Sequence, residues 1–147
     1  MIKPPFNEGT FPNWTTIQIR YRDLDTLNHV NNAQFNTYFE EARIRFISEI
    51  PEFLSSMKSG NSFVLVHLEI NYINPLLYPS DILVGTGVAD YGNSSISGFQ
   101  AIYESKSKEL KAVAKSTGVW YSTKSQRPVR LPELPDKNLY LIKNLSD

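Results

Sequence analysis

The sequence predicts an α+β domain: one long amphipathic helix lying against a curved, five-stranded antiparallel sheet. Three observations point there. One stretch of two-residue apolar period precedes a single stretch of helical period, and further strand-like stretches joined by short turns follow it. Of the 147 residues, 41% are hydrophobic and 12% aromatic, enough for a single core. Small residues recur on one face of two late strands, Gly85, Gly87 and Ala89 on one and Ala112, Ala114, Ser116 and Gly118 on the other. Bare backbone at neighbouring positions makes room for something bulky, and the aromatic helix is the expected occupant of both faces.

In chain order, residues 15–22 set Ile17, Ile19 and Tyr21 against Thr16, Gln18, Arg20 and Arg22, a half-buried strand. Over 33–49 the period changes: Phe35, Tyr38, Phe39, Ala42 and Phe46 recur every three or four residues opposite Glu40, Glu41 and Arg45. Pro51 is expected to stop this helix, because proline lacks an N–H and restrains the residue before it. A polar linker ending in Gly60-Asn61 leads to a long strand up to Tyr72, closed by Asn74-Pro75. Strands over 81–90, about 95–104 and 109–123 follow, separated by turns at Tyr91-Gly92-Asn93 and 105–108. The prolines gather at the two ends and near 75–79, so the ends read as arms on a compact centre.

Composition removes several classes of function. Fifteen basic and fifteen acidic side chains cancel, leaving no net field to draw nucleic acid or an anionic membrane. With no cysteine, thiolate nucleophiles, disulfides and Cys-based zinc sites are excluded, and two distant histidines make a poor metal site. No apolar run reaches the roughly 18 residues of a membrane span and no signal-peptide core is present, so a cytoplasmic protein is expected. His67 reads as a core or interface residue.

Polar chemistry concentrates in residues 23–32, between the first strand and the helix: Asp23-Leu24-Asp25-Thr26-Leu27-Asn28-His29-Val30-Asn31-Asn32. A helix start offers unpaired amide N–H groups and partial positive charge, the surroundings a developing oxyanion needs. A carboxylate beside it can take a proton from water or attack a carbonyl itself. The alternative is a solvated turn in which Asn31 or Asn32 only caps the helix.

The run Arg22-Asp23-Leu24-Asp25, three residues, then His29-Val30-Asn31-Asn32, with Tyr38-Phe39-Glu40-Glu41-Ala42-Arg43 on the helix, resembles hot-dog-fold acyl-CoA thioesterases of the 4-hydroxybenzoyl-CoA thioesterase-like family. Ser94-Ser95, Val113-Ala114 and the segment Arg127–Glu133 extend the resemblance over residues 12–133 of a single 1–147 domain. It implies a sheet wrapped around the helix, and protomers paired edge to edge as a homodimer or homotetramer with active sites at subunit interfaces. It also implies hydrolysis of a fatty or aryl acyl-CoA without cofactor or metal, with Asp25 as general base or nucleophile. Asp23 is the lesser candidate for that role, its alternative reading being a solvated or turn-forming carboxylate, and the place of His29 in the matched motif implies that it orients the loop or substrate. Asn31 and Asn32 cap the helix or bond Asp25. Expected substrate contacts are Asn28, Val30, Phe35, Tyr38, Ser94, Ser95, Lys115 and Ser116. Many relatives carry glycine where this chain has Asn28, which can keep the loop shape because asparagine tolerates a left-handed backbone. An acyl-carrier-protein thioesterase and a non-hydrolytic acyl-CoA-binding protein stay open as alternatives.

Overall fold

The apolar stripe read at 33–49 is helix α1 (Asn32–Ser48), with Phe35, Tyr38, Phe39, Ala42 and Phe46 all buried. A computed structural model describes residues 1–143. Ahead of α1 lies β1 (Asn13–Gln18), and after it come α2 (Pro51–Lys58), β2 (Asn61–Tyr72), β3 (Asp81–Tyr91), β4 (Ser95–Glu104), β5 (Leu110–Ser122) and the two-residue β6 (Arg127–Pro128). The five long strands run in the order β1-β3-β4-β5-β2, every pair antiparallel, and β6 adds to β5. Register slips at Leu65/His67, Val88/Asp90 and Ile102/Tyr103 each insert one extra residue, the device that bends and twists a sheet locally.

Two expectations about elements change. The segment read as a polar linker is a second helix, α2: Pro51 stops α1 and starts α2, occupying the first position where its missing N–H costs nothing. Phe53 is fully buried beneath it, against Phe63 and Trp120. The described residues therefore hold two α-helices where one was expected, of 17 and 8 residues. The first strand also ends earlier than expected, at Gln18, because Asp23 accepts the Arg20 N–H and turns the chain into a short 3-10 segment at 21–23. Tyr21 is left exposed there.

α1 packs one face of the sheet: Phe35, Tyr38, Phe39 and Ala42 meet Ile17, Ile82, Val84, Ile102, Ala112 and Ala114. Burying each large side chain contributes about 1.5–3 kcal/mol. Ala112 and Ala114 of β5 thus face the helix, as expected, whereas a methyl group on Gly118 would meet Phe63 of β2. Gly85 and Gly87 of β3 do not face α1. A methyl group on Gly85 would lie 2.4 Å from the Phe11 ring, and one on Gly87 would meet Pro12 and Ile142. Their bulky neighbour is the N-terminal arm, on the face opposite α1, where Phe11 joins Phe99, Ala101, Tyr103 and Val113 with Phe6 and Trp14 packed alongside. β2 ends the strand order and leaves Val64, Leu65 and Val66 exposed, with His67 exposed beside them.

Candidate active site

Residues 24–30 form a tight loop stitched by its own backbone. Leu24 pairs with Val30, Asp25 N–H donates to His29 O at 2.8 Å, and Asn28 N–H donates to Asp25 O at 3.2 Å. Asn28 sits at φ 61°, the left-handed conformation asparagine tolerates, so the loop closes without glycine. His29 pairs in turn with Leu77, tying the loop to the turn before β3.

Asp25 is half-buried, and one of its oxygens is engaged: Oδ1 accepts the Leu27 N–H at 2.8 Å and the His29 N–H at 3.3 Å. Oδ2 has no hydrogen-bond partner among the described residues. Asp25 lines a cavity of about 450 Å³ together with His29, Val30, Asn31, Asn32 and Phe35, closed on the other side by residues 72–76. The carboxylate and the helix tip therefore share one space.

The backbone donors of the helix tip can be accounted for one by one. Asn28 N–H is taken by Asp25 O, His29 N–H by the Asp25 carboxylate, Val30 N–H by Leu76 O and Asn31 N–H by Asp23 O. Asn31 is the N-cap, its side chain accepting from Ala33 N–H at 3.0 Å. Of the amides of residues 28–33 around the helix start, Asn32 N–H alone lacks a partner among the described residues. It is the first residue of α1, where the helix dipole adds to its pull on negative charge.

Asp23, expected to be solvated or turn-forming, is 1% exposed. Its Oδ2 accepts from the Tyr38 hydroxyl at 2.8 Å and from Arg20 N–H at 3.1 Å, and its Oδ1 from the Arg20 guanidinium at 3.0 Å. Burial alone would raise the carboxyl pKa, but the hydrogen bonds from Tyr38 and Arg20 and the guanidinium charge outweigh it and hold the pKa below its ordinary value. Burial, joined by the same contact with Asp23, drives the Tyr38 phenol far up. Tyr38 thus binds Asp23 and lies outside the cavity lining, whereas Val30 and Phe35 serve both core and cavity wall. Local pattern could not reveal the pair, since fifteen residues separate its members.

The other expected substrate contacts lie elsewhere. Ser94 and Ser95 are half-buried where the chain enters β4, with Ser94 O accepting from Trp120 N–H. Lys115 is exposed, while the next residue, Ser116, is buried and points to the opposite face. Ser116 lines a second cavity of about 390 Å³ between α1 and the sheet, walled by Phe46, Ile47, Val88, Ile96 and Trp120. Gln100 crosses that cavity's floor, donating to Phe39 O and Thr86 Oγ1 and accepting from Arg43. The two cavities share no lining residue. Among the described residues no group of three or more His, Asp or Glu side chains is placed to hold a metal ion, and no helix is long and apolar enough to cross a membrane.

The thioesterase-like superfamily model matches residues 19–139, which hold the whole loop, both helices and the four strands β2 to β5. The chain belongs to this superfamily. Among curated proteins it is 32% identical over 132 residues to the long-chain acyl-CoA thioesterase FadM of Escherichia coli K12, covering 88% of this chain and 98% of that one. Among solved structures, a thioesterase from Thermus thermophilus complexed with coenzyme A and Zn superposes with a TM-score of 0.72 at 35% identity, over 86% of this chain and 90% of the other. YbaW of Escherichia coli gives 0.76 at 27% identity, over 88% and 98%. The thioesterase-like family is the one that the D-x-D and H-V-N-N residues resemble.

Proposed function

We propose that this thioesterase-like chain hydrolyses an acyl-CoA thioester to the free acid and CoA, with Asp25 as general base and Asn32 N–H as the donor to the carbonyl oxygen. The observation that carries the reading is one cavity lined by a carboxylate with a free oxygen and by the residue holding the one unpartnered amide of the helix tip among the described residues. Asp25 takes a proton from water as the water oxygen bonds the carbonyl carbon. The carbonyl electrons move onto oxygen, where Asn32 N–H and the helix start stabilise the charge. When they return, the C–S bond breaks and the departing CoA sulfur takes up the proton. His29 holds Asp25 in place through its backbone N–H, and Asn31 fixes the helix start.

The similarity to FadM and to a CoA-complexed thioesterase supports CoA as the carrier of the acyl group. A homodimer formed along β2 is part of the proposal, because that strand ends the sheet and exposes Val64, Leu65 and Val66.

The test is thiol release from short, long and aromatic acyl-CoAs and from matched carrier-protein thioesters. In Asp25→Asn the amide oxygen still accepts both loop N–H groups, so the fold should persist while kcat falls roughly 10²- to 10⁴-fold. Wild-type turnover in that variant removes the mechanism. Heavy oxygen from solvent appearing in Asp25 after a single turnover replaces the general base with a nucleophile.

A further inference from the structure

We infer that Asp23 and Tyr38 are positioning residues that fix the distance between the Asp25 carboxylate and the Asn32 amide. The inference rests on the roles proposed above for those two groups.

Asp23 is a buried charge that stability explains poorly. Removing a carboxylate from water costs several kcal/mol, and replacing a buried charged group by apolar side chains of similar volume is often neutral or stabilising. Asp23 nevertheless sits at 1% exposure, next to the core made by Tyr38, Val30 and Leu76.

Its bonds are distributed in an informative way. The carboxylate accepts from three donors on two residues: the backbone N–H and the guanidinium of Arg20, and the hydroxyl of Tyr38 on α1. The carbonyl of the same residue accepts the N–H of Asn31, the cap of α1, at 2.8 Å. Asp23 therefore grips α1 twice, at its tip through the backbone and about two turns along through Tyr38. Asp25 follows two residues later, and Leu24 between them is held to Val30.

The loop bearing Asp25 and the helix bearing Asn32 are thus anchored to one residue that lines neither of the two cavities described above. Loss of the Tyr38 tie leaves the backbone bond to Asn31 as the one hydrogen bond by which Asp23 holds α1 among the described residues. A displacement of about 1 Å in a reacting group can cost on the order of 10²-fold in rate.

Tyr38→Phe tests this, because it keeps the ring and deletes the one hydroxyl. Wild type, Tyr38→Phe, Asp23→Asn, the double variant and Asp25→Asn are compared on one acyl-CoA, well below their melting temperatures, with folded fraction measured by circular dichroism. The expected result is a roughly 10- to 100-fold lower kcat in Tyr38→Phe with KM within about twofold of wild type, and no further loss on adding Asp23→Asn. A wild-type kcat in a folded Tyr38→Phe overturns the inference, as does a kcat loss that only tracks the unfolded fraction or a loss confined to KM. Should Tyr38→Phe not fold, Asp23→Asn alone is held to the same criteria. Failure of the underlying reading looks different: Asp25→Asn would then turn over like wild type. An inactive Asp25→Asn beside a fully active Tyr38→Phe defeats the positioning role alone.

Discussion

Gly85→Ala is expected to destabilise the protein through one identifiable collision. The added methyl would stand 2.4, 2.6 and 2.9 Å from three carbons of the Phe11 ring, closer than carbon atoms tolerate. The ring cannot swing away freely, since it stacks on Phe99 at 6.2 Å and meets Trp14 edge-on at 5.4 Å. Overpacking of this kind costs about 1–3 kcal/mol. For a chain of this length each kcal/mol lowers Tm by roughly 2–4 °C, so a drop of roughly 2–12 °C is expected. Phe11→Ala alone should cost more, about 3–5 kcal/mol, because it empties a buried site. Combined, the two changes should cost less than their sum by about 1–3 kcal/mol, since the collision disappears with the ring. Urea unfolding of the four proteins closes the cycle. Strict additivity, or a neutral Gly85→Ala, would refute the claim that the arm is why β3 carries glycine here.

Two further outcomes follow from the site and the sheet edge. Asp23 has a folded pKa below its ordinary value of 3.8, so its contribution is complete above that value and is lost as pH falls through the folded pKa. The stability gap between wild type and Asp23→Asn should therefore be constant from pH 7 to about 5 and shrink below about 3.8; a gap independent of pH down to 2 contradicts this. Val66→Lys, at the exposed extra residue of β2, should shift a β2-paired dimer toward monomer in analytical ultracentrifugation with little change in monomer folding. An unchanged dimer places the interface elsewhere.

Much of this architecture was legible because it depends on neighbours in sequence. The five long strands and α1 announce themselves by period, and Asn28 and Asn31 by the backbone each tolerates or caps. What escaped depends on partners far along the chain. Gly85 of β3 signals a close approach, but nothing local says that the approaching group is Phe11, more than seventy residues earlier, and not α1. α2 is too short to establish a period, although Pro51 at its start and Phe53 and Met57 four residues apart were its available signs. The burial of Asp23 was invisible for the same reason: a D-x-D pair looks symmetric until Tyr38 and Arg20 satisfy one member and leave the other with a free oxygen.

The packed N-terminal arm sets a practical boundary on this protein. A chain trimmed to begin at Asn13 would keep every long strand but bare a wall of Phe99, Ala101, Tyr103 and Val113 to water. Such a surface invites clumping. Shortened versions made to simplify crystallisation should therefore precipitate sooner than the untrimmed chain, and residues 1–12 belong with the scaffold when boundaries are chosen for expression.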